Sequence, residues 1–63
     1  MDPDANLAEQ RRLRKKMQAQ FDAGANPNWM DVQRLVELVA ALDDWISKGG
    51  SLPKAWLFSR DAI

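Results

Sequence analysis

Every glycine and proline of this 63-residue chain falls at one of three places: Pro3 at the start, Gly24 and Pro27 in the middle, and Gly49, Gly50 and Pro53 further on. These are the residues that end helices or prevent them from continuing. Two long stretches are left free of them. Between Asn6 and Phe21 there is no β-branched residue either, and the alanine, leucine, glutamine, arginine and lysine found there are good helix formers. Strict alternation of apolar and polar residues, the mark of a half-buried strand, occurs nowhere over a useful length. The chain therefore reads as all-α: an antiparallel helical hairpin followed by a short C-terminal helix, in a single domain spanning residues 1–63.

Punctuation sets the expected boundaries. The first helix spans about 3–23, with Asp2 as N-cap, Pro3 in the first turn and Gly24 as the stop. The second spans about 27–48. Two start frames compete for it. Asn26 capping with Pro27 at the first helical position is slightly favoured over Asn28 capping with Asp31 three residues on. Gly49 and Gly50 end this helix. After them, Ser51 or Leu52 caps and Pro53 enters the first turn of a short helix over about 52–61. The short link between the long helices makes them antiparallel neighbours.

The two long helices are unequal in apolar content. The first carries a narrow stripe of Leu7, Leu13, Met17 and Phe21, with Gln10, Arg14 and Gln20 on or beside it. In the second, Val32, Leu35, Val39, Leu42 and Ile46 follow the three-four spacing of a coiled-coil seam, though over only two heptads. Val36 flanks the seam on one side; Leu38 and Trp45 flank it on the other. This arc is wider than one narrow helix can cover. A chain this short also buries only about 60% of the surface it exposes when unfolded. Disulfides and zinc, the usual supplements, are unavailable because cysteine and histidine are both absent. Self-association is the remedy left open, most simply as a homodimer resembling a four-helix bundle. Val32, Leu35, Val39, Leu42 and Ile46 are the expected interface, with Val36 or Leu38 at its margin.

The same composition narrows the function. Without histidine or cysteine there is no thiolate and no serine triad. Asp43 and Asp44 are neighbours in a helix and point about 100° apart, so they do not converge on one substrate atom. No phosphate-cradling motif precedes a helix. The chain is expected to be non-enzymatic, with no cofactor and no metal. Nine basic residues balance nine acidic ones, so the domain as a whole is neutral. No apolar run is long enough to span a membrane, and the acidic start does not resemble a signal peptide, which gives a cytoplasmic expectation.

The segment Trp45-Ile46-Ser47-Lys48-Gly49-Gly50-Ser51-Leu52-Pro53-Lys54-Ala55-Trp56 resembles the ends of a group of small uncharacterised proteins encoded by actinobacteria and especially their bacteriophages. The resemblance implies a phage or prophage origin, and with it the host cytoplasm as location. It brings no activity and no functional residue. Read physically, Trp45, Gly49, Gly50, Pro53 and Trp56 form a structural clasp in which the two tryptophans are close enough in sequence to pack together.

One charge feature stands out: Arg11, Arg12, Arg14, Lys15 and Lys16, interrupted only by Leu13. The ordinary reading is a solvated face paired with the acidic second helix. The functional readings are phosphate contact on nucleic acid, which needs positive charge but no special geometry, or attraction to an anionic membrane surface. No aromatic residue is interleaved for base stacking. Three functions follow, in order of support. The first is a protein-interaction module acting on itself and on a host protein. The second is a nucleic-acid binder using the basic run, and the third a structural oligomer such as a virion component.

Overall fold

A computed structural model describes residues 1–57. It contains three helices: α1 (Pro3–Asp22), α2 (Trp29–Ser47) and α3 (Lys54–Leu57). No strand occurs among the described residues. The all-α hairpin with a short C-terminal helix is thus the observed fold. The expected continuation of the third helix beyond residue 57 lies outside the described residues.

The start of α1 follows the sequence. Asp2 Oδ1 accepts hydrogen bonds from the backbone N–H groups of Asp4 (3.0 Å) and Ala5 (3.1 Å), two donors with no partner inside the helix. Its end is a Schellman turn: Ala25 N–H donates to Gln20 O and Gly24 N–H to Phe21 O, with Gly24 at φ 75°. The helix α2 ends the same way. Gly50 N–H donates to Trp45 O and Gly49 N–H to Ile46 O, with Gly49 at φ 92°. Both positive-φ positions are glycines, the residue that adopts this conformation without a Cβ clash.

The start of α2 departs from the favoured frame. Asn28, not Asn26, is the cap: its Oδ1 accepts from Met30 N–H at 2.8 Å, and helix begins at Trp29 rather than Pro27. The Schellman turn carries the chain out through Ala25, and Asn28 is the first residue placed to accept from the opening turn of α2. The C-terminal helix is also shorter at its start than expected. Neither Ser51 nor Leu52 caps it. Pro53, buried, stands just before it, and the free N–H of Lys54 donates to Asp4 Oδ1 at 2.7 Å. The cap comes from the far end of the chain.

The core is small. Leu7 and Leu13 of α1 meet Leu38 and Leu42 of α2, and these four are the buried apolar residues of the two helices. Their full burial contributes roughly 1.5–3 kcal/mol each. Asn6 is buried among them. Its Nδ2 donates to Leu38 O at 3.1 Å, and its Oδ1 accepts from Gln10 Nε2 at 2.7 Å. The amide is therefore satisfied on both sides and ties the two helices at a fixed level. Phe21, placed by periodicity in the inward stripe, is exposed at the helix end.

Candidate interaction surface

The hairpin has two flanks of different chemistry. On one, charges from the two helices interlock. The Arg34 guanidinium makes a two-pronged contact with Glu9, Nε to Oε2 at 2.8 Å and Nη2 to Oε1 at 2.9 Å. Arg12 approaches the same carboxylate at 3.9 Å, and Lys16 Nζ reaches Asp31 at 2.8 Å. Hydrogen bonding to Arg34, and behind it the positive charge of Arg34 and Arg12, holds the Glu9 carboxyl below its usual range. Glu9 in turn holds Arg34 above its own. At the end of this flank, Trp45 lies over Gly50, so closely that a Cβ there would collide with the indole ring. Trp45 Nε1 donates to Ser51 O at 3.0 Å.

The other flank is apolar in its middle. Val39 is 50% exposed and Val36 63%. Beside them a cleft of about 280 Å³ runs between the helices, floored by Leu7, Leu35 and Val39 and edged by Arg11, Arg14 and Trp56. Its neighbour holds Val39, Ile46 and Asp43, again with Trp56 at the edge. Trp29 and Met30, each 74% exposed, add apolar surface at the start of α2.

The expected seam residues are therefore split. Leu42 is 3% exposed and belongs to the core against α1, together with the flanking Leu38. It is not part of the outward surface. Val32, Leu35 and Ile46 are half-buried along the edge, and Val36 and Val39 stand outside. The reason is rotation: α1 packs on the Leu38 side of the seam, so the Val36 side, expected at the margin, becomes the open one.

The five cations of the basic run separate in the same way. Arg12 and Lys16 turn to the charged flank and meet Glu9 and Asp31. Arg11, Arg14 and Lys15 have no ion pair among the described residues. Of the clasp residues, Trp45 lines a hollow with Gly49 and Gly50, and Trp56 borders the cleft that holds Gln10 and Val39. Asn6 is the residue that sequence reasoning passed over. Asn6, Gln10, Leu13 and Met17 share one face at four-three-four spacing, a signal that an asparagine occupies an inward position.

No protein-family model, curated protein or solved structure matches the chain. No described helix is long and apolar enough to cross a membrane.

Proposed function

We propose that this chain is a small helical protein-interaction module that acts without catalysis and self-associates through α2. The observation that supports it is the exposure of Val36 and Val39 beside the half-buried Val32, Leu35 and Ile46, on the flank that α1 leaves open. Two valines half or more exposed at the centre of an apolar strip, with charges at its rim, have the anatomy of an interface core. A phage or prophage origin and a host protein as further target belong to the same proposal. They rest on the resemblance of the Trp45–Trp56 segment. The nucleic-acid alternative has weaker support, because Arg12 and Lys16 are engaged by Glu9 and Asp31.

Sedimentation equilibrium across a wide concentration range tests the reading. The parent chain is expected as a concentration-dependent dimer. Val39→Asp should weaken it about a hundredfold, because association would bury a carboxylate in the apolar centre. A parent that stays monomeric up to millimolar concentration overturns the proposal.

A further inference from the structure

Asp43 is the one carboxylate among the described residues with neither an ion pair nor a hydrogen bond. Asp2, Asp4 and Asp22 accept from N–H groups, and Glu9, Asp31, Glu37 and Asp44 each pair with a cation. Two cations without an acidic partner among the described residues, Arg11 and Arg14, lie on the same flank as Asp43. They sit at the other end of it. The helices run antiparallel, so the arginines border Leu35, whereas Asp43 stands two turns further along α2. Eight residues of helix span roughly 12 Å. Within one chain the opposite charges remain apart, with Val36 and Val39 exposed between them.

A two-fold axis removes that separation. Leu35 and Asp43 are each four residues from Val39. An axis through Val39, perpendicular to α2, therefore exchanges their levels. Each Asp43 arrives at the level of the partner's Arg11 and Arg14, twice per dimer, and the exposed valines meet at the centre. A parallel two-fold pairing does the reverse. It sets Asp43 near its own copy and arginine near arginine, and like charges facing each other disfavour association. We infer that the occupant of this flank is a second copy of the chain docked antiparallel about Val39, held in register by contacts between Asp43 and the partner's Arg14 and Arg11. This rests on the self-association proposed above and adds its orientation and register.

Charge reversal tests it. Asp43→Arg places a cation against two arginines, and it should raise the dimer dissociation constant about tenfold at moderate salt, since two contacts of modest size are lost and replaced by repulsion. Adding Arg14→Glu to Asp43→Arg keeps the parent's zero net charge and rebuilds an opposite pair across the axis. It should recover most of the lost affinity. Both variants are checked for parent-like helicity by circular dichroism. Recovery in the double variant supports the antiparallel register. If Asp43→Arg dimerises as tightly as the parent, or if Arg14→Glu fails to restore it, the orientation is wrong although self-association stands. A monomeric parent removes the self-association reading, and this inference with it.

Discussion

The substitution Asn6→Asp exchanges one amide nitrogen for an oxygen and should weaken the fold severely. In the parent, Nδ2 of Asn6 donates to the Leu38 carbonyl and Oδ1 accepts from Gln10, in a site only 8% exposed. Aspartate keeps the shape and the bond from Gln10 but turns the donor facing Leu38 O into a second acceptor. Two oxygens carrying negative charge then face each other out of water. The lost bond accounts for about 1 kcal/mol and the poorly solvated carboxylate for a further 1–3 kcal/mol. A domain this size has about 3–9 kcal/mol of stability in total, by the usual range per residue. The loss corresponds to a melting point lower by roughly 10–25 °C at pH 7. The effect should depend on pH in a defined direction. When protonated, the introduced carboxyl can donate to Leu38 O, so folding raises its pKa above the unfolded value of about 3.9. The variant should be nearest the parent below that value and lose stability as pH rises through the raised folded pKa. Thermal melts followed by circular dichroism, parent and variant side by side from pH 3 to 7, provide the assay. A variant that melts with the parent at pH 7, or a deficit that does not change with pH, would refute the assignment of Asn6 as a buried donor to α2.

Two further outcomes follow from the described contacts. Gly50→Ala drives a methyl into the Trp45 indole, and should destabilise by about 1–3 kcal/mol with a red shift of tryptophan emission, read by urea titration; unchanged stability would mean that Trp45 does not lie over this glycine. Glu9→Gln removes a carboxyl whose folded pKa is lowered by Arg34, so its contribution is present above the unfolded value and disappears as pH falls through the lowered one. Between pH 6 and 3 the parent should therefore lose more stability than the variant, and parallel acid titrations would count against the Arg34 contact.

The parts of the fold that could be read from the sequence are those determined by adjacent residues. Asp2 caps α1 and both glycine stops hold their expected places, because each depends on the backbone within one turn. The frame at Asn26 to Asn28 is ambiguous for the same reason. Both asparagines satisfy the local rule, and the path of the chain out of the preceding Schellman turn decides between them. Which side of the seam α1 covers is not local at all. It goes with Asn6 meeting a carbonyl 32 residues away: the spacing of Asn6, Gln10, Leu13 and Met17 marks an inward position but not the partner found there. That contact belongs to the same rotation of α2 that buries Leu38 and Leu42 and leaves Val36 outside. The position of Trp56 depends likewise on a cap supplied from the opposite end of the chain.

That remote cap has a consequence for the order of folding. The contact between Asp4 and the Lys54 N–H joins residues 50 apart, while each Schellman turn closes within six residues. Closing a free loop of that length opposes the contact by about 3.5 kcal/mol of chain entropy, more than one hydrogen bond returns. The bond becomes favourable only after the hairpin has carried residue 4 and residue 54 to the same end of the bundle. Docking of α3 is thus a reporter of a completed hairpin rather than a contributor to its nucleation, and it loses its support once the helices separate.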